Sequence, residues 1–120
     1  MRIKISAKIF AASTTSLLMT YATFAESVDL DNGKAKYEET CIACHGENAK
    51  GAFAGMPDLT KRNGPFSKTD ADLFRTIKEG MDRPEADMAM PPLGGNPDLL
   101  DSDVKDIIAY MRKTFDRRSR

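Results

Sequence analysis

The chain's two cysteines and its single histidine fall within five consecutive residues, Cys41-Ile42-Ala43-Cys44-His45. On a helix, residues three and four apart share a face, so both thiols and the imidazole can point to one side within about 6 Å of one another. Two thiols so placed can add to the two vinyl groups of one porphyrin while the adjacent imidazole reaches its iron. The spacing therefore reads as covalent c-type haem attachment. Three other readings compete with it. A structural disulfide closing so short a loop would constrain the unfolded chain little. A thiol–disulfide redox pair usually accompanies a βαβ pattern, which this sequence lacks. A zinc site needs four ligands, and His45 is the one imidazole in the chain.

The N-terminus has its own signature. Arg2, Lys4 and Lys8 form a basic head, and the next charged residue is Glu26. The uncharged stretch between them contains Ser13, Thr14, Thr15, Ser16, Thr20 and Thr23, which makes it too short and too polar to span a membrane. This is the layout of a cleaved secretory signal peptide over residues 1–25, with Thr23 and Ala25 as the small residues before the cut, and a cut after Ala22 as the second choice. Residues 26–120 are then one domain of about 95 residues, whose apolar core alone would be marginal and to which a bound hydrophobic cofactor would add volume. Taking the three basic leader residues from 18 leaves 15 Lys and Arg against 18 Asp and Glu, a net charge of −3. That balance predicts no nucleic-acid partner. The basic residues gathered at the C-terminus, Arg112, Lys113, Arg117, Arg118 and Arg120, read as a solvated helix end favoured by the helix dipole.

The periodicity predicts helices and no strands. Asp31 or Asn32 can cap a first helix running through Gly33 and Tyr37 toward Cys44, with His45 and Gly46 near its end. Residues 46–67 hold Gly51, Gly55, Pro57, Gly64 and Pro65 and should be mostly loop. Thr69 caps a second helix through Leu73, Phe74 and Ile77 that Gly80 should stop. Residues 81–97, with Pro84, Pro91, Pro92 and Pro97, read as a second loop. A last helix from about Asp101 carries an apolar stripe at Val104, Ile107, Ile108 and Met111. The domain should be all-α, three to four helices with long loops, and loops that long are uncommon in so small a domain unless they wrap something.

With one His and both cysteines committed, the remaining donors for a sixth iron ligand are Met, less often Lys, or the position stays open. Met56 lies in the loop after His45, and Met81, Met88 and Met90 lie in the later loop that can reach the opposite face. Met111 belongs to the apolar stripe and is most simply core.

The residues resemble the class I c-type cytochromes. Gly33 and Tyr37 stand at that family's positions before the haem motif, and Pro57 with Leu59 resembles its proximal loop. Met90-Pro91, then Gly94 and the helix carrying Ile107 to Met111, resemble its ligand loop and terminal helix, so the likeness covers nearly all of residues 30–115. Leu100 departs from the usual Ser or Thr cap of that helix, and Met88 stands two residues before Met90. The resemblance implies a cytochrome c-like fold around one haem c bound by Cys41, Cys44, His45, Pro57, Leu59 and Met90, with His45 and Met90 on the iron. It implies that the Pro57 carbonyl accepts a hydrogen bond from the His45 ring, and that Tyr110 crosses the first helix at Gly33, one turn from Tyr37.

His and Met ligation raises the reduction potential and leaves no open coordination position. The implied function is a periplasmic electron carrier between a dehydrogenase or reductase and an oxidase or other acceptor. Its partners would be redox proteins such as a periplasmic dehydrogenase, a cytochrome complex or a terminal oxidase. Two other functions fit the same residues: the haem subunit of a dehydrogenase or oxidase complex, and a gas-binding haem sensor. No paired carboxylates, Ser-His-Asp set or phosphate loop supports an enzyme.

Overall fold

Asp29 starts the first helix: its carboxylate accepts hydrogen bonds from the backbone N–H groups of Asp31 and Asn32, both at 3.0 Å. The cap expected at Asp31 or Asn32 is therefore made two or three residues earlier, because an N-cap acceptor must precede the orphan N–H groups it satisfies. The computed structural model describes residues 27–84 and 87–119, so the expected leader lies outside the described residues. Helix α1 (Leu30–Lys36) runs into a π turn (Tyr37–Cys41), in which the Ile42 N–H reaches back to the Tyr37 carbonyl, and then into α2 (Ile42–His45). Helix α3 (Asp70–Glu79) is capped by Thr69, whose hydroxyl accepts from the Asp72 N–H at 3.1 Å, and it stops at Gly80 with φ +76°. Helix α4 (Asp101–Phe115) follows Leu100, which has no side chain to cap with; its backbone N–H instead donates to the Asp103 carboxylate at 2.9 Å. Short 3₁₀ turns occupy Pro65–Ser67, Pro92–Gly95 and Arg117–Ser119. Among the described residues the only β pairing is an isolated antiparallel bridge between Met81 and Met90.

The fold is organised by the crossing of α1 and α4. Gly33 is buried, and a Cβ built on it would lie 2.1 Å from the Asp106 carbonyl oxygen and 3.0 Å from the Tyr110 Cβ. The two backbones meet this closely only because no side chain intervenes. One turn on, Tyr37 packs its ring 5.7 Å from Tyr110 and 5.4 Å from Phe115, so the crossing implied by the resemblance is present. Polar groups lock the same contact: buried Asp106 accepts from the Asp29 N–H at 2.8 Å and from the Asn32 amide at 2.8 Å, and the Asn32 amide also donates to Asp103 at 2.9 Å.

Below the crossing lies the core. Val104, Ile107, Ile108 and Met111 are all buried, as their helical spacing requires, and meet Leu73 and Ile77 from α3. Arg112 departs from the expected solvated helix end. Its guanidinium donates to the Phe66 and Lys68 carbonyls, to Asp70 and to Asp116, and lies over the Phe66 ring, so it clamps the first long loop and α3 onto α4. A planar five-donor fork can satisfy two carbonyls and two carboxylates at once, which the dipole argument does not anticipate.

Candidate functional site

The end of α2 has to give its last carbonyls to something. Gly51 N–H donates to the His45 carbonyl and Ala52 N–H to the Cys44 carbonyl, both at 2.9 Å, so the loop after the cysteine motif folds back beneath it. Gly46 at φ +78° makes the reversal, and the Tyr37 hydroxyl donates to its carbonyl at 2.7 Å. Farther along, Leu59 N–H donates to the Ala49 carbonyl at 2.8 Å, and Met56 and Pro57 just before it line the same cavity as Cys44 and His45 of α2. The result is a cavity of about 250 Å³ with overwhelmingly apolar walls. Cys41, Cys44 and His45 line it from α2 and the turn before it, Pro57 and Leu59 line it from the loop, and Met90 lines it from the far segment. The six residues singled out in the sequence thus share one cavity.

Its electrostatics suit a neutral, soft set of donors. Burial, and secondarily the neighbouring Cys44, pushes the Cys41 thiol up to about 11. A dithiol that exchanges disulfides needs the opposite shift, toward thiolate. Burial also holds His45 below its ordinary value, so the imidazole is neutral and keeps a lone pair for a metal. His45 Nδ1 is buried and has no hydrogen-bond partner among the described residues. The bond to the Pro57 carbonyl implied by the resemblance is therefore not made at this nitrogen, although Pro57 lines the same cavity. An imidazole with an unsatisfied buried nitrogen is oriented by packing alone, and an iron on one ring nitrogen would fix which way the other faces. Two free thiols, a neutral imidazole with an orphan nitrogen, thioethers and an apolar cavity fit an iron porphyrin.

The methionines are sorted by the backbone around them. Met81 and Met90 exchange reciprocal N–H···O=C bonds, both 2.8 Å. Met90 is half-buried and packed against the core, whereas Met88, two residues earlier, is 54% exposed although it also borders the cavity. Gly80 is more than a helix stop: a Cβ there would lie 2.6 Å from the Met90 carbonyl oxygen and 2.8 Å from the Pro92 nitrogen. Sequence reasoning missed this contact, and it missed Lys68 and Arg83, which are the Lys and Arg residues lining the cavity among the described residues, because no fixed spacing ties them to the cysteine motif.

Known proteins point the same way. The family described as "Cytochrome C oxidase, cbb3-type, subunit III" matches residues 28–111. Cytochrome c-555 of Prosthecochloris aestuarii is 34% identical over 91 residues, 72% of this chain and 88% of that protein. Cytochrome c6 of Pyropia yezoensis is 32% identical over 76% of each chain. The cbb3-type cytochrome c oxidase subunit CcoP of Azospirillum brasilense is 42% identical over 55 residues, 42% of this chain but 19% of that subunit. A helical domain whose cavity gathers two thiols, an imidazole and thioethers, and whose likeness to small cytochromes runs through most of its length, is a class I mono-haem c-type cytochrome: the chain belongs to that cbb3-type subunit III family of cytochrome c domains and transfers electrons through one covalently bound haem c.

Proposed function

We propose that this chain is a periplasmic one-electron carrier and not an enzyme, with Cys41 and Cys44 as the thioether attachments, His45 as the proximal ligand and Met90 as the sixth. The observation that carries the reading is that all four side chains line one apolar cavity, with Met90 reaching it from a segment remote from the cysteine motif. When bound, the haem supplies the one-electron couple. The protein's residues do the rest. His45, kept neutral by burial, offers a nitrogen lone pair. Leu59, Leu73 and Ile77 exclude water from the cavity, and Lys68 and Arg83 offer charge for the two carboxylates a haem carries. Met90 is braced by its bridge to Met81 and by Pro91 and Pro92, whose rings fix the backbone just after the sulfur, so a weak thioether bond need not order a floppy segment. With His45 and Met90 both holding the iron, no position would be left for a substrate.

Two measurements test this. After acidified organic extraction, mass spectrometry should find the processed chain plus one haem, and haem released into the solvent would defeat covalent attachment. Each of Met81, Met88 and Met90 should then be replaced by Ala and the oxidised protein examined for the weak long-wavelength band of sulfur-to-iron ligation. The band should vanish in the Met90 variant alone; its loss in the Met88 variant with retention in the Met90 variant would reassign the ligand. Fast carbon monoxide binding to the reduced wild type would favour a gas sensor.

A second reading rests on the matched family: the chain serves an oxidase as a haem subunit rather than shuttling freely, as the name of the Azospirillum relative suggests for that protein. Co-purification with a large membrane complex would select it. The compartment follows from the leader, and N-terminal sequencing of the exported protein should begin at Glu26. A protein recovered with Met1 intact would overturn that.

A further inference from the structure

The segment that carries Met90 is not relaxed. Three residues of the Pro92–Gly95 turn have positive φ: Leu93 at φ 55°, ψ 26°, Gly94 at φ 62°, ψ 17°, and Gly95 at φ 84°. Glycine takes that conformation freely, but leucine seldom does, and a bulky residue stays there only when its surroundings hold it. Leu93 is partly buried against the core, which is one restraint. The other is polar. Asn96, just after the turn, donates from its side-chain amide to the Thr40 hydroxyl at 3.1 Å. Its amide oxygen accepts from the Asp98 N–H, also at 3.1 Å, so the orientation of the amide is set by two partners rather than one. Gly94 lies on Thr40 as well: a Cβ at Gly94 would come within 2.9 Å of the Thr40 methyl.

Thr40 is the residue before Cys41 and lines the same cavity as Met90. One end of the contact is thus fixed to the attachment motif, and the other to the strained turn that follows the sixth ligand.

We propose that the Asn96–Thr40 hydrogen bond is a latch that holds the Met90 segment closed over the iron's sixth position, so that Thr40 and Asn96 are positioning residues governing access of outside ligands. The proposal rests on the assignment of Met90 given above. Releasing the latch lets the turn relax away from Thr40 and lowers the cost of displacing the Met90 sulfur.

The test uses ferric holoprotein and imidazole as the probe, with binding read from the shift of the haem's main absorption band, a readout that M90A, without a sulfur-to-iron band to lose, also gives. T40V removes the hydroxyl while keeping the shape of the side chain, and N96L removes the donor. Each should bind imidazole about tenfold more tightly than wild type, the size expected for losing one hydrogen bond. T40S keeps the hydroxyl and should stay within about twofold of wild type, and the T40V/N96L double variant should exceed the tighter single variant by no more than about twofold, since both remove one interaction. M90A supplies the open reference. If M90A binds imidazole tightly while T40V and N96L bind as wild type does, the latch is refuted and the ligand assignment stands. If M90A binds no more tightly than wild type, the ligand assignment falls and takes the latch with it.

Discussion

Gly33 lies directly against the Asp106 carbonyl, with room between the two backbones for a hydrogen but not for a methyl group, which would sit 2.1 Å from the oxygen. The nearest atom is backbone, so it cannot swing aside as a side-chain tip would. Gly33→Ala should cost about 1–3 kcal/mol by overpacking. In a domain of this size that lowers the melting temperature by roughly 4–8 °C per kcal/mol. A variant melting with the wild type would show that α1 and α4 separate without penalty.

Gly80 tests the other side of the cavity. Alanine there meets both a positive φ of +76° and the Met90 carbonyl at 2.6 Å. Gly80→Ala should lose about 1–3 kcal/mol and also weaken the sulfur-to-iron band, because the strain falls on the backbone that carries Met90, the proposed sixth ligand. Lys78→Ala, which removes only an exposed pairing with Asp101, should change stability by less than about 1 kcal/mol and leave the band intact. Equal spectra in both variants would disconnect Gly80 from Met90.

Arg112 satisfies the Phe66 and Lys68 carbonyls with one side chain. Arg112→Ala should destabilise the fold by about 1–3 kcal/mol by stripping those carbonyls of their donors. Arg112→Lys should recover only part of this, since an ammonium cannot reproduce the planar fork. Urea unfolding of the two variants decides the point, and full rescue by lysine would reduce the clamp to a simple charge effect.

Acid should expose the C-terminal pair. The hydrogen bond from Arg118 to Asp116, more than the one from Arg112, holds the Asp116 carboxyl far below the usual carboxylate range. Its folded value lies below its unfolded one, so the stability it contributes is complete above about pH 4 and is lost as the pH falls through the folded value. Asp116→Asn should therefore melt below the wild type at pH 7, with the gap narrowing between about pH 4 and pH 2. A gap independent of pH would assign the effect to packing.

Much of this architecture could be read before the fold was known, and the parts that could not have a common cause. The stripe at Val104, Ile107, Ile108 and Met111 and the cap at Thr69 depend on neighbours within a turn or two, and both are present. Cys41, Cys44 and His45 share a cavity for the same local reason. The first cap moved to Asp29 because three acceptors lie within four residues and local chemistry barely ranks them. Arg112, Gly80 and the Met81–Met90 bridge act through groups brought together only by the chain's return, and no periodicity encodes that. The missing His45–Pro57 contact at Nδ1 differs in kind: sequence likeness supplied a partner for a ring whose orientation depends on what occupies its other nitrogen.

The Tyr37–Cys41 turn makes length itself a determinant of the site. A hydrogen bond that reaches back five residues instead of four holds one residue more than a regular helical turn, and each helical residue rotates the chain by about 100°. Gly33 before the turn and Tyr37 at its start are phased to α4, while Cys44 and His45 after it are phased to the cavity. Glu38 and Glu39 within it are exposed. Regularising the turn at its present length would roll the cysteine motif about a quarter-turn away from its pocket, whereas deleting Glu38 or Glu39 removes the extra residue, and no side chain that borders the cavity, and leaves the two halves near their present phase. In this domain a one-residue deletion within the turn would be better tolerated than the same deletion in the regular helix before it, which has no surplus residue to give up.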